Sequence, residues 1–442
     1  METAEVKPGA LQDAVAPRWS AASRVAFRFC FVYFGLFCLG TQILGGLLPI
    51  PSVDIPDPSV LFPPLRKIVF WVAARFFHAK LPLVYTNSGS GDKTFDWVLA
   101  FCFLVVAILA AAVWSVVDRK RKNYATLYKW FRVFLRFALA SELLAYGMAK
   151  VIPLQMPFPY LAKLVEPFGN FSPMGVLWAS IGASPAYEIF AGCAETLAGV
   201  LLIFPRTTML GVLVCVADMT QVFMLNMTYD VPVKLFSFHL LLMAMFLLAP
   251  NLGRLADFLF CEGTVAAPKL TPLFHSRRGN RIALALQIAY GISLLAGNAY
   301  EARMNWHVYG GGSPKSALYG IWDVKKLAID GVERSPLLTD YERSRRAIFD
   351  SPERMTLQRM DDSLARYTAA IDSQNKTMTL AKNGDANWKS QFTFVRPAEN
   401  QLVLDGKMDG HRVHMEMQLL DRGQFLLVNR GFHWVQDYPL NR

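Results

Sequence analysis

Residues of the kind that carry protons or hold charge fall where the sequence is otherwise apolar. Between Tyr128 and Pro250 stand Arg132, Arg136, Glu142, Lys150, Glu188, Glu195, Asp218, Lys234 and His239. Inside a bilayer an ionisable group is costly, so it is paired or it lines a path for protons or a ligand. An advance of roughly 100° per residue puts Arg132 and Lys150 at one azimuth of a helix, with Arg136, Glu142 and Tyr146 within about 80° of it. Glu188 and Glu195, seven apart, share a face of the next helix. Asp218 and Gln221 fall near the middle of a third. His239 lies about 7.5 Å deeper than Lys234 on a fourth. Four bases (Arg132, Arg136, Lys150, Lys234) thus meet four acids (Glu142, Glu188, Glu195, Asp218).

Two readings follow. The first is a closed set of ion pairs that fixes helix register. The second is a proton-handling or ligand-binding cavity with Glu188, Glu195, Lys150, Lys234 and His239 as its outer cluster and Asp218 as its floor. In it Glu195 and Asp218 act as proton carriers, tuned by Lys150 or Lys234, with His239 beside them. Glu188, Lys234, Arg136 and Glu142 are then the groups placed to hold a cofactor.

Other chemistries find little support. A haem held by two imidazoles needs a second histidine in the apolar stretches, and only His239 is there. No H-E-x-x-H or Glu-x-x-His pair marks a metal, and no metal site is expected. Cys30, Cys38, Cys102, Cys193, Cys215 and Cys261 lie in or beside apolar stretches without C-x-x-C spacing, so they read as packing residues. Nucleophile-elbow, Walker and dinucleotide fingerprints are absent from suitable contexts.

The elements that must position these residues are membrane helices. The 442 residues are 53% apolar and only 18% charged, against about 25% charged in soluble domains. Mean hydropathy is +0.28. Crossing a bilayer core of about 30 Å takes roughly 20 apolar residues. Arg24–Ile50, Phe95–Val117, Phe190–Phe204, Thr207–Met227, Val233–Pro250 and Ile282–Asn298 qualify. Tyr128–Val151 makes a seventh despite its charges, with six as the count if it lies at the interface. The net charge of +11 reports basic loops rather than a nucleic-acid surface. Basic residues around Arg18–Arg24, Asp118–Lys122, Arg206 and Arg254–Arg281 put the N-terminus in the cytoplasm, and seven crossings then put the C-terminal region outside. Within the long loop Pro51–Asp92, Val60–Lys80 reads as an amphipathic helix, lying at the interface or packed outside. Phe171–Gly182 reads as a short helix on the outer face of the bundle.

At this point a resemblance enters. Arg136-Phe-Ala-Leu-Ala leading to Tyr146-Gly-Met-Ala-Lys150 resembles the first-helix pattern of the DoxX family. Glu195-Thr-Leu-Ala-Gly199 resembles its second-helix pattern. Tyr229-Asp-Val-Pro-Val-Lys234 through His239 resembles enlarged bacterial members. The likeness covers about 128–257. It implies a four-helix core in a bacterial inner membrane, tied to quinone-linked sulfur oxidation and thiol stress. Quinone is the cofactor it suggests, and a redox protein the partner. The added helices and exported domain depart from the small members, so a thiosulfate substrate does not carry over.

From about Lys315 the apolar runs become short and alternating. Tyr319–Ile329, Arg345–Phe349, Met355–Met360, Leu364–Ile371, Thr377–Ala381, Gln391–Val395, Gln401–Leu404, His414–Leu420 and Phe425–Val435 read as strands. Asp330-Gly331, Asn383-Gly384-Asp385, Asp405-Gly406, Asp409-Gly410 and Arg422-Gly423 read as turns. Eight or nine sequential strands suit a closed up-and-down barrel. Gly320-Ile321-Trp322 resembles the lipocalin G-x-W signature, which implies a Trp plugging the barrel end beside a late Arg, here Arg430. Such a barrel holds one small apolar ligand or is filled by side chains. His411, His414 and His433 fall in adjacent expected strands, but His411 and His414, three apart, point to opposite faces of one strand, which argues against shared metal ligation.

The expected organisation is a cytoplasmic tail (1–23), two helices with a long loop (24–127), the DoxX-like core (128–257), a cytoplasmic loop and seventh helix (258–301), and an extracytoplasmic barrel (302–442). The expected function is a quinone-linked redox component, a subunit of a membrane oxidoreductase, in contact with the lipid bilayer and with no nucleic-acid partner. A non-catalytic scaffold or assembly factor is the alternative, and a small-solute transporter a third.

Overall fold

The computed structural model describes residues 18–48, 50, 62–261, 264, 272–382 and 384–441. Lys7 with the rest of the tail to residue 17, residues 51–61 at the head of the long loop, and Asn383 of one expected turn lie outside the described residues. The chain divides into two compact units: Met1–Met148 with Ala194–Ala299, and Ala149–Cys193 with Tyr300–Arg442.

The principal helices are α1 (Ala21–Gly40), α2 (Pro63–Phe77), α3 (Thr94–Val117), α4 (Ala125–Val151), α5 (Leu161–Val165), α6 (Pro173–Gly182), α7 (Pro185–Ile203), α8 (Thr208–Thr228), α9 (Lys234–Leu248) and α10 (Arg277–Val308). Polar residues start them where the sequence allows. Ser20 accepts from the Ser23 amide at the head of α1 (3.0 Å). Ser172 accepts from the Gly175 amide at the head of α6, with Pro173 at the first helical position. Among the described residues six helices are long and apolar enough to cross a membrane: α1, α3, α7, α8, α9 with its continuation to Phe260, and α10. The expected α2 and α6 are present, and α10 runs ten residues beyond its expected end.

α4 explains its own charge. Its middle is deeply enclosed, with Phe131, Leu135, Ala138, Leu139, Ala140 and Leu143 buried in the main apolar cluster. A helix surrounded by helices shows little surface to lipid, so apolarity all round is not demanded of it. Glycines let the helices approach one another. A Cβ on Gly199 of α7 would press on Leu144, and one on Gly291 of α10 would collide with Ile203. α4 runs alongside α1 from end to end. Tyr124, just before α4, bonds Arg28 near the start of α1 (2.9 Å), and Tyr146 bonds Gln42 just past its finish (3.0 Å).

The C-terminal domain is a closed, eight-stranded antiparallel barrel. Its strands are β1 (Gly320–Ile329), β3 (Ser344–Phe349), β4 (Arg354–Arg359), β5 (Leu364–Asp372), β6 (Thr377–Lys382), β7 (Asp385–Val395), β8 (Gln401–Met408) and β9 (His411–Leu419), with a two-residue β2 (Val332–Glu333) folded back antiparallel on the end of β1. Sequential neighbours pair, and β9 closes on β1 from Trp322↔Leu419 to Ile329↔Val413. A bulge between Val324 and Lys326 shifts the inward parity from Trp322 and Val324 to Leu327. Asp330-Gly331 and Asp409-Gly410 form two-residue turns with both residues at positive φ. The interior is filled by the barrel's own side chains, among them Trp322, Phe349, Met355, Leu380, Phe392 and Leu404.

Three expectations for this domain are corrected. Phe425–Val435 is not a strand; a short helix, Leu426–Asn429, stands there. β1 is already paired by β9 on one side and by β3 and then β2 on the other, and β9 lies between β8 and β1, so the segment after β9 has no free edge to join. Asp405-Gly406 is not a turn but lies within β8, opposite Thr393 and Phe392. A Cβ at Gly406 would strike the Gln391 carbonyl, so the glycine serves close strand packing. The residue over the Trp322 ring is Arg396, 5.5 Å from its centroid. Arg430 instead bonds Gln436 (3.1 Å).

Candidate functional site

In the helical unit, Glu142, Glu195 and Asp218 are brought into one neighbourhood by α4, α7 and α8. Glu142 and Glu195 both act electrostatically on Tyr146. Glu195 and Asp218 both act on the buried Cys215. Glu142 Oε2 accepts from the Gln42 amide (3.2 Å), and the same amide donates to Tyr146 Oη. Gly46 leaves room for this arrangement: a Cβ there would press on Glu142 Oε1.

Arg136, Arg132 and Lys234 each have contacts beyond the four acids. Arg136 is buried and its guanidinium donates to the Leu202 carbonyl (2.9 Å) and the Ile203 carbonyl (2.8 Å). These are the last carbonyls of α7, where a cation meets the negative end of the helix dipole. Arg132 sits over the Tyr128 ring and reaches towards the Leu247 carbonyl (3.5 Å). Lys234 pairs with Asp230 (2.8 Å) and Asp92 (3.8 Å). Asp92 also accepts from the Lys234 and Leu235 amides, capping α9 from another loop. His239 is held by two hydrogen bonds, to the Leu235 carbonyl and to Tyr33 Oη (each 2.7 Å), and stacks on Phe37 with ring centroids 3.9 Å apart. A carbonyl oxygen can only accept, so Nδ1 is the donor of the first bond.

A cavity of about 450 Å³ lies beside the acids. Phe37, Phe103, Tyr146 and Phe236 supply aromatic walls; Thr41, Gln42, Lys93 and Asp96 supply polar ones. Tyr146 and Gln42 are therefore shared between the cavity wall and the acid cluster, and His239 backs Phe37 from behind.

Lys150 and Glu188 belong to the other unit, where both are buried. Glu188 Oε1 accepts from the Met156 amide (2.9 Å), and the Lys150 ammonium is near enough to act on Glu188. In the same unit Asp350 caps α5, accepting from the Leu161 (2.8 Å) and Ala162 amides. Burial raises the Asp350 carboxyl above its ordinary value, against the pull of those amides. On the barrel surface His411 pairs with Asp330, and His414 with Asp405. Among the described residues no three His, Cys, Asp or Glu side chains converge as a metal site.

Sequence reasoning missed Gln42, Asp92 and the Arg28 network. Gln42 had a signal, the polar Thr41-Gln42 step inside the first apolar run. Arg28 had one too, as a lone charge in that run: it is buried and bonds Tyr124, Ser115 and the Asp118 carbonyl. Asp92 had none, because a loop carboxylate capping a distant helix leaves no local pattern.

A helical region with six membrane-length apolar helices, followed by a closed barrel, defines a multi-pass membrane protein with a C-terminal β domain. The chain belongs to the family of the uncharacterized protein YwoB of Bacillus subtilis (strain 168), with which it is 31% identical over 127 residues, 27% of this chain and 72% of that protein. No family model matches the chain, and no solved structure matches it.

Proposed function

We propose that the protein is a DoxX-like, quinone-linked redox component of a bacterial inner membrane, with the Glu142–Glu195–Asp218 cluster handling its protons. The observation that carries this reading is the double role of Tyr146, which lines the cavity and sits under the influence of two of the acids. Aromatic walls suit a flat ring, and the Gln42 amide and Tyr146 hydroxyl suit its oxygens. Bound there, a quinone supplies two-electron, two-proton redox chemistry. The chain's own part is to seat the ring between Phe37, Phe103 and Phe236 and to pass protons through the Tyr146 hydroxyl to Glu142, Glu195 and Asp218, with the Gln42 amide holding Tyr146 and Glu142 in place. His239 positions Phe37, and Arg136 holds the end of α7 so that Glu195 keeps its place. Lys150 and Glu188 form a separate buried pair.

In this reading α4 is a seventh crossing. Its 27 residues span about 40 Å, and it travels the length of α1. The N-terminus is then cytoplasmic and the β domain extracytoplasmic, where it meets a partner protein or, at its surface, a small apolar ligand. Glu195→Gln and Asp218→Asn are expected to abolish quinol-dependent turnover in proteoliposomes while leaving expression and membrane insertion intact. Loss of insertion in both variants would make the polar core structural instead. One observation favours the scaffold reading: the barrel core is filled by its own side chains, which leaves that domain an outer surface for binding rather than an internal site.

A further inference from the structure

The barrel has two distinct ends. α10 finishes at Val308 and β1 begins at Gly320, so the chain enters at the Gly320 end. Pairing Gly320↔Phe349, Phe349↔Met355, Asp372↔Thr377 and Val395↔Val403 sets three turns at that end. Leu419, the last residue of β9, lies there too, opposite Trp322. The helix α5 docks at the same end. Its Leu161 packs on the outward-facing Ile321 and Ile348, and Asp350 caps it. α5 lies in the connector between α4 and α7, so both chain routes towards the membrane-length helices, through α5 and through α10, leave from this end.

The C-terminal tail starts at this end as well. Phe425 joins the Leu161–Ile321–Ile348 cluster, and Arg422 donates to Tyr319 Oη (3.1 Å). Beyond the short helix the side chains turn outward. Phe432 is 77% exposed, Trp434 91%, Val435 80% and Tyr438 85%. Arg430 and His433 stand among them. Large apolar groups left in water like this mark a surface that something covers.

We propose that the tail Phe432–Tyr438 seats in the headgroup layer of the bilayer and fixes the Gly320 end of the barrel against the membrane. Trp and Tyr prefer that layer because one end of each ring is apolar and the other hydrogen-bonds. Arg430 and Asp437 offset one another, so the aromatic rings rather than net charge carry the seating. The eleven residues between Val308 and Gly320 reach at most about 40 Å when extended, so this end stays within reach of lipid. A protein partner would also cover the tail, but only a membrane is guaranteed by the chain itself. The inference does not depend on the quinone reading.

The test uses the full chain in lipid nanodiscs containing anionic lipid. Trp434 is replaced by a genetically encoded, environment-sensitive fluorescent residue, which leaves the six cysteines in place. A second protein carries the same residue at Asp361, in the turn between β4 and β5 at the opposite barrel end. The tail lies outside the barrel core, and an unchanged gel-filtration profile verifies that the labelled proteins fold. Expected are blue-shifted emission at position 434 and quenching of about two-fold by headgroup-proximal spin-labelled lipid, with water-like, unquenched emission at 361. Water-like emission at 434 would overturn the proposal. So would a blue shift insensitive to the lipid quencher, which would assign the tail to a protein surface, and so would equal quenching at both positions.

Discussion

Arg136 shows how a charge becomes tolerable in an apolar bundle: its fork is spent on two helix-terminal carbonyls. Replacing it with Met removes two charge-assisted hydrogen bonds and leaves both carbonyls buried, a cost of about 2–4 kcal/mol. Melting of the detergent-solubilised protein measures this, and Arg136→Lys should recover only part of it, because an ammonium cannot fork between two acceptors. A Met variant that melts like wild type would show that the bonds contribute nothing. At the barrel surface, Asp330 raises the His411 imidazole above its ordinary 6.5, and Asp405 with Glu416 raises that of His414. A raised base adds stability that is complete below the unfolded-state value and is lost as pH rises through the folded one. The β domain should therefore unfold more readily as pH is raised through the imidazole range, modestly because both pairs are exposed. Asp330→Asn keeps the left-handed turn, which Asn tolerates, and should flatten that pH dependence. An unchanged profile would remove His411 from the explanation.

Among the elements, Trp322 is the most consequential single side chain of the barrel: fully buried, bonded through Nε1 to the Leu318 carbonyl (2.9 Å) and covered by Arg396. Trp322→Ala should cost about 3–5 kcal/mol in chemical denaturation of the domain, and a loss under about 1 kcal/mol would mean that the barrel end collapses around the gap. The helices were legible because apolar length and flanking breakers act locally: Phe95–Val117 was expected and Thr94–Val117 is found. The hairpins with two-residue Asp-Gly turns were legible for the same reason. Asp405-Gly406 misled because the dipeptide that makes a turn also fits a strand crowded by its neighbour. Phe425–Val435 misled because alternation cannot reveal that a barrel has already closed. The acid cluster was half legible. Spacing put Glu142 and Tyr146 on one face of α4, but their meeting with Gln42 depends on how α1 packs along α4, which no local pattern encodes.

For the whole molecule, the proposed function requires seven crossings, an acid cluster served by the aromatic-walled cavity, and a β domain outside the membrane. Seven crossings place the two termini on opposite sides. Reporter fusions at the N- and C-termini should then be active in opposite compartments, an alkaline phosphatase at the C-terminus being active outside. Both termini on one side would reduce the count to six and leave α4 inside the membrane without crossing it. The central claim is that the cavity and its acids serve quinone-linked proton chemistry. It is tested most directly by purifying the wild-type protein in mild detergent, extracting its lipids for quinone, and measuring quinol-dependent turnover beside Glu142→Gln and Glu195→Gln. The account predicts co-purified quinone, turnover in the wild type, and loss of turnover in both variants with folding retained. No quinone and no quinol-dependent turnover in a well-folded wild-type protein would contradict it.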